Sequence, residues 1–517
     1  MKQIKQFIDN LLSKKTADEF INESNNSKLK KNLNAFDLII LGIGAVVGTG
    51  IFTIIGIAAV GSSPEFGAGP SVVLSMILAA VACVFTAFCY CEFASMMPVS
   101  GSAYTYTYAT MGEFAAWIVG WILMLEYAVG NITIACAWTD YFLQFLKGFP
   151  FLPNWLLNPP IWLINDYRSA IEVCHKSNLN PDLVIPKIFN IIPFSINLPA
   201  ILLLLAVTLI LVRGIKESTK VAGFMVFVKL AVIFLFIGVG MFYVKPENWV
   251  PFCPNGFKAV TMGAFIIFFA YVGFDAISTA AEETKNPQKN LPIGILGTLL
   301  ICTSIYVLVA LVLTGIMPQS MIDIHAPIAK AMNYINQNWV AGLISIGALT
   351  GLSSVIMVYQ LGTTRIIYSM SRDGFLPPFL KKIHPKFHTP HVITYLCGTL
   401  VIIGSLFMDL KVSAELCNFG TFTSFIIVCV AVLILRKTEP DRHRPFKVPF
   451  SPLFPILGII LSAGLMFYSM KFLEISSVLF PIWLLLGVCF YFMYCYKNKR
   501  ILGEKQNENK VLTSSTK

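Results

Sequence analysis

Twelve apolar stretches alternate with polar connections along this chain, each bounded by charges or turn residues. They fall near residues 36–60, 71–97, 113–146, 197–213, 219–244, 258–281, 291–316, 339–371, 391–408, 412–436, 452–470 and 476–497. Most are long enough to cross a hydrocarbon core of ~30 Å at ~1.5 Å per residue. The pattern predicts an all-α polytopic membrane protein with twelve spans. Residues 1–35 and 498–517 are polar tails outside it.

Two of the stretches are interrupted. The first reads FDLIILGIGAVVGTGIFTIIGIAAV, with Gly42, Gly44, Gly48 and Gly50 near its middle. Glycine is weak helix material, and Gly48-Thr49-Gly50 reads as a place where a helix stops and restarts. Backbone groups freed inside a bilayer cost several kcal/mol each unless something pairs with them. A break at this depth suggests a buried polar ligand. The alternative is close helix packing, since Gly44 and Gly48 also form a GxxxG pair. The sixth stretch carries Ala270-Tyr271-Val272-Gly273-Phe274-Asp275 in an otherwise apolar run. It is the counterpart of the first if the chain consists of two five-span halves. Glycine-interrupted spans at matching positions point to a transporter site between repeats.

The chemistry of such breaks is directional. A half-helix starting near Gly50 presents N–H groups and a positive dipole end, which suits a carboxylate. Half-helices ending near Val46–Val47 and Phe269–Ala270 present carbonyls, which suit an ammonium. One zwitterion fits both, so an α-amino acid is expected before a sugar or an inorganic ion.

Composition agrees with the membrane reading. Hydrophobic residues make up 56% of 517 and charged residues 13%, against about 25% charged in soluble proteins. The net charge of +11 would otherwise suggest nucleic acid. With the N-terminus inside, however, the inner segments hold 28 of the 38 Lys and Arg and the outer loops 9. This is the positive-inside bias of a chain with both termini in the cytoplasm, and it removes the nucleic-acid reading. No cleavable signal peptide is read, because the first apolar run is a full span. The long outer connection 147–196 carries Trp, Pro and aliphatic clusters and is expected to be partly folded and membrane-hugging.

Ionisable residues within spans are few. Lys229 lies mid-span in GFMVFVKLAVIFLFIG. It is either a fixed cation or proton carrier beside the site, or a lysine snorkelling to an interface. Glu126, in GWILMLEYAVGNITIA, is a proton acceptor, a partner for a cationic substrate, or a structural acid. Asp275 is read first as a cap on the second half of span six. Glu92, Arg365, Glu282 and Glu283 lie near inner ends and read as gate or packing charges. All six histidines fall in loops, which argues against a histidine proton relay. None of the twelve cysteines has zinc-ligand spacing; only Cys174 and Cys253 lie in long polar connections, where a disulfide between them is conceivable. No metal or cofactor is expected.

Six collinear stretches resemble the amino acid–polyamine–organocation (APC) superfamily, and within it the cationic amino acid transporter (CAT) family and its bacterial permease relatives. They are LNAFDLIILGIGAVVGTGIF, EFASMMPVSGSAYTYTYATMGEFAAWIVGWILMLEYAVG, NLPAILLLLAVTLILVRGIKESTKVAGFMVFVKLAV, FFAYVGFDAISTAAEETKNPQKNLPIGI, TRIIYSMSRDGFLPPFLKKIHPKFHTP and LRKTEPDRHRPFKVPFSPLFPILG. The resemblance implies a LeuT-type fold: inverted five-helix repeats at 36–244 and 258–436, then two extra helices at 452–497, with spans one and six broken. It implies secondary transport of an amino acid by alternating access, with no ATP and no covalent chemistry, in the cell membrane. By position it implies that Thr49, Gly50 and Gly48 meet the substrate carboxylate. Phe269, Ala270 and Val272 line the amine and side-chain side. Lys229 takes the place of a sodium ion and Glu126 lies near the site, so a proton gradient is the implied driving force. Ser353, Ser354 and Met357 are the candidates in span eight for setting side-chain size. An amino acid or polyamine antiporter, and more remotely a non-transporting sensor or complex subunit, share these features. The implied partners are an amino acid and the lipid bilayer; no protein partner is indicated.

Overall fold

A computed structural model describes residues 12–16, 19–20, 31 and 33–497, apart from 62–63, 100, 150, 189–191, 214–217 and 388. Each apolar stretch is helical in it. Helix α1 is Ala35–Val46; after a break, a π-helical turn Gly50–Ile54 runs into α2, Ile55–Val60. There follow α3 Val72–Met96, α4 Ser102–Met111, α5 Glu113–Leu146, α6 Leu198–Arg213 and α7 Ser218–Gly240. Then come α8 Gly256–Phe268, α9 Pro287–Ile316, α10 Pro327–Tyr334, α11 Asn338–Arg372 and α12 His391–Gly404. The last three are α13 Leu410–Thr438, α14 Leu453–Met470 and α15 Glu474–Phe490.

Among the described residues nine helical segments are long and apolar enough to cross a membrane, and ten if the bent pair α1 and Gly50–Val60 is one span. The apolar helices α6 and α12 are shorter, at 16 and 14 residues. The protein is therefore an integral, multi-pass membrane protein.

Several local rules are visible in these elements. Asn34 caps α1 by accepting from the N–H groups of Phe36 and Asp37, while the Asp37 carboxylate accepts from the Asn34 N–H. That reciprocal pair satisfies donors that a helix start leaves open. Pro287 begins α9 four residues before the apolar run does, because proline's fixed φ suits a first turn. Helix α4 has no counterpart among the predicted spans. Its sequence, SAYTYTYATM, is too polar to read as one, yet most of it is buried.

Helix α5 packs along both α11 and α13, α9 packs along α3 and α1, and α8 lies against α3. This places the broken spans in the interior. Large apolar side chains such as Phe227, Leu300, Leu485 and Met493 remain on the outside, as a lipid-facing surface requires. At one end of the bundle Glu92 of α3 accepts from Arg436 Nε at 3.0 Å and from the Val448 N–H at 2.8 Å, and it pairs with Arg444 at 3.3 Å. This acid is a packing charge that ties α3 to the connection after α13. Arg365 is exposed, while Glu282 and Glu283 are half-buried.

The connection 147–196 holds four short helices and a two-stranded antiparallel pair, Lys187–Ile188 with Ile192–Pro193. Cys174 and Cys253 are both free thiols, one buried and the other exposed. The disulfide conceived from their placement does not form.

Candidate site at the two broken helices

Helix α1 ends at Val46, and the chain turns by 46° before Gly50–Val60 continues. Gly48, Thr49 and Gly50 open the second half. Its first backbone bonds run from the Ile51 and Phe52 N–H groups to the Gly48 carbonyl, both at 3.2 Å. The N–H groups ahead of them belong to the set a helix start leaves without intrahelical partners. In the sixth segment α8 ends at Phe268, a 3₁₀ turn covers Phe269–Tyr271, and a 3₁₀ helix resumes over Phe274–Glu283. Between them Gly273 sits at φ 112°, a left-handed conformation that favours glycine.

The two breaks touch. A Cβ added at Gly50 would lie 2.2 Å from the Cα and Cβ of Ala270, and one at Gly48 would meet Val355 of α11 at 3.0 Å. Glycine at 50 is thus required by close backbone approach. Tyr306 of α9 places its hydroxyl 3.0 Å from the Val46 carbonyl and 2.9 Å from the Ala270 carbonyl. With one proton, it donates to either and links the two breaks.

Lys229 of α7 is fully buried. Its Nζ donates to the carbonyls of Gly44 at 2.6 Å and Val47 at 2.7 Å. Its stem packs on Gly351 of α11. The snorkelling reading is therefore wrong: the amine points into the end of α1, where carbonyls and the negative end of the helix dipole gather.

Other freed carbonyls are also met by side chains. Tyr359 of α11 donates to Val272 at 3.2 Å, and Tyr141 of α5 donates to Phe52 at 2.6 Å. Sequence reasoning missed these three tyrosines. Tyrosines in apolar spans signal that their hydroxyls need partners, but nothing local names the partner.

Thr49, Phe269, Ala270 and Val272 are all buried beside the breaks. Thr49 Oγ1 and Thr53 Oγ1, one helical turn apart, have no hydrogen-bond partner among the described residues. Glu126 lies on another face of α5, where a Cβ added at Gly420 of α13 would meet the Glu126 Cβ at 3.3 Å. Its Oε2 has no partner among the described residues. Asp275 accepts from Tyr127 at 3.3 Å. It lies in the first turn of the second half of span six. Its Oδ1 has no partner among the described residues, so no capping hydrogen bond to the helix start is made. Of the span-eight candidates, Ser353 donates to Leu349 at 2.7 Å and Ser354 to Gly351 at 2.7 Å, both within their own helix. Met357 is half-buried. No metal-holding group of three or more His, Cys, Asp or Glu occurs among the described residues.

Interrupted helices that meet inside a membrane bundle are a recurring feature of transporter sites. The sequence profile of the amino acid permease family matches residues 33–490, and the chain belongs to that family. It is 41% identical over 493 residues to the methylthioribose transporter of Bacillus subtilis, covering 95% of this chain and 99% of that one. It is 42% identical over 491 residues to the branched-chain amino acid permease BcaP of the same organism, covering 94% and 98%. Cationic amino acid transporter 9, chloroplastic, of Arabidopsis thaliana is 35% identical, covering 90% and 78%. The protein is a permease, not an enzyme.

Proposed function

We propose that this chain is a secondary active transporter that moves amino acids across the cell membrane by alternating access, coupled to protons as a symporter. The observation that carries the reading is Lys229, whose amine closes on the Gly44 and Val47 carbonyls at the break of span one. A cation built into the chain at that point takes the role a dissociable metal cation would otherwise fill. The family's name and those of the relatives support an organic, mostly amino acid, substrate.

In this reading Gly48, Thr49 and Gly50 hold the substrate carboxylate at the start of the second half-helix. Phe269, Ala270 and Val272 flank the amine and side chain. Lys229 and Glu126 serve proton coupling. The chain has twelve spans, with α6 and α12 as two of them, and both termini lie in the cytoplasm. The inverted repeats are 36–244 and 258–436, followed by the two helices within 452–497. No metal or cofactor takes part.

The test is uptake into reconstituted vesicles. An imposed inward proton gradient should drive accumulation of a labelled amino acid into empty vesicles. Accumulation that follows sodium and ignores pH sinks the coupling. Uptake that requires amino acid loaded on the far side replaces symport with exchange.

A further inference from the structure

The face of α5 that meets the two broken spans is a stripe at helical spacing: Tyr127, Asn131, Ile134, Trp138 and Tyr141. Steps of four and three residues keep these side chains on one side of a helix. Three of the five have settled contacts. Tyr127 reaches Asp275 in span six and packs edge-on to Tyr359, with ring centroids 5.4 Å apart. Trp138 donates to Leu349 at 3.2 Å and Ser353 at 3.1 Å in α11. Tyr141 donates to Phe52 in span one.

Asn131 lies between these anchors, about 6 Å along the axis from Tyr127. The contacts of Tyr127 with Tyr359 and of Trp138 with Ser353 run antiparallel. Interpolating between them sets Asn131 across from residues 356–358. That is one turn or less from Val355, the residue that Gly48 meets. Asn131 thus stands at the level of the Gly48–Gly50 break.

Asn131 is fully buried, and neither its Oδ1 nor its Nδ2 has a partner among the described residues. Thr49 Oγ1 and Thr53 Oγ1 share that condition. A buried amide left unpaired is costly, and a native fold seldom leaves both its ends so without a reason. The two serines in the facing part of α11 already donate within their own helix. Asn131 therefore carries the uncommitted donor and acceptor on this side of the site.

We propose that Asn131 is a specificity residue that hydrogen-bonds the side chain of the transported amino acid. The substrate class is accordingly an amino acid with a small, uncharged, hydrogen-bonding side chain. A carboxamide both gives and accepts a hydrogen bond but carries no charge, so it matches a hydroxyl or another amide better than an ammonium or a guanidinium. An aliphatic side chain of the same shape would bury the amide unpaired. This inference rests on the amino acid site proposed above.

The experiment is ligand titration by thermal stabilisation of the full-length purified protein, with alanine, valine, threonine and arginine as probes. Threonine and valine differ by a hydroxyl in place of a methyl. We expect threonine to bind roughly tenfold or more tightly than valine. In Asn131→Leu the preference should fall to within about threefold. Valine binding as tightly as threonine, or binding confined to arginine, overturns the role of Asn131, while alanine binding leaves the amino acid site standing. No stabilisation by any of the four overturns both. A threonine preference that survives Asn131→Leu overturns the inference alone. If that variant does not fold, Asn131→Ala supplies the second variant, and a threonine preference that survives in it overturns the inference in the same way.

Discussion

The two interrupted spans solve the same problem by different means. In span one the first half ends on an α-turn, and a buried amine, Lys229, closes on two of its carbonyls. The second half restarts as a π-helix whose threonine hydroxyls are uncommitted. In span six, tyrosines close the carbonyls of Ala270 and Val272, and the restart is a 3₁₀ helix with Asp275 in its first turn. One break is held by a cation at a helix end, the other by neutral hydroxyls at its carbonyls and an acid at a helix start. Each charge sits where the helix dipole favours it. Both breaks keep open polar atoms among the described residues: two threonine hydroxyls in span one and one carboxylate oxygen, Asp275 Oδ1, in span six.

That contrast can be broken at Gly50, where the effect should be largest. In Gly50→Val the added carbons meet the backbone of Ala270 at 2.2 Å, which only a shift of one whole span relieves. Overpacking of this kind costs about 1–3 kcal/mol or more. We expect uptake to be abolished and thermal stability to fall, as read by vesicle uptake and a melting curve. Gly223, with nothing within 4 Å, is the control position.

Lys229→Met keeps the stem and removes the donor from both carbonyls. Two lost hydrogen bonds in a buried site amount to about 2–4 kcal/mol. Uptake should drop more than tenfold and lose its pH dependence, with expression retained. Wild-type uptake in this variant would return Lys229 to a packing role.

Tyr306→Phe probes the link between the breaks. It removes one hydroxyl from two carbonyls, each of which keeps other lone-pair capacity. A loss of about 1 kcal/mol is expected, seen as a slowing of uptake by several-fold. An unchanged rate would mean that the two spans move without this tie.

The smallest effect lies away from both breaks, where the segment before α10 packs on the second half of span one. Gln319 donates to the Ala59 carbonyl at 3.1 Å, and the Asp323 carbonyl leaves no room for a Cβ at Gly56. His325 of this segment pairs with Asp140 of α5 at 3.2 Å. The Asp140 carboxylate raises the His325 pKa above its ordinary 6.5. Because the folded value is raised, the pair's contribution is fully present below pH ~6.5 and is lost as pH rises through the folded value. The imidazole is 49% exposed, so solvent screening holds the contribution to about 1 kcal/mol or less. The melting temperature should fall slightly between pH 6 and pH 8.5, and Asp140→Asn should flatten that slope. An identical slope in the variant would assign the effect to another group.

Much of the helical layout was legible from hydrophobic runs and their boundary residues. The reach of α5 agrees with its apolar run, 113–146. The breaks were legible from Gly48 and Gly50 and from Gly273, because glycine's placement in an apolar run has few explanations. Helix α4 was not legible, since alternating Tyr and Thr carry no apolar stripe and are buried by neighbours from distant parts of the chain. Cys174 and Cys253 were legible as exceptions, but whether two thiols meet is a matter of folding. Asn131 gave no local signal. One amide in an apolar span reads as an accident until its neighbours on the same face are known to meet both breaks.

The sequence by itself determined that this is a membrane-spanning helical protein whose first and sixth apolar segments are interrupted. Those are properties of composition and of local backbone preference, which each segment carries alone. The tertiary structure decided what satisfies the interrupted backbone: Lys229 from α7, Tyr306 from α9, and Tyr141 and Tyr359 from α5 and α11. A freed carbonyl in a bilayer interior demands a partner within about 3 Å, and only packing decides which distant residue supplies it.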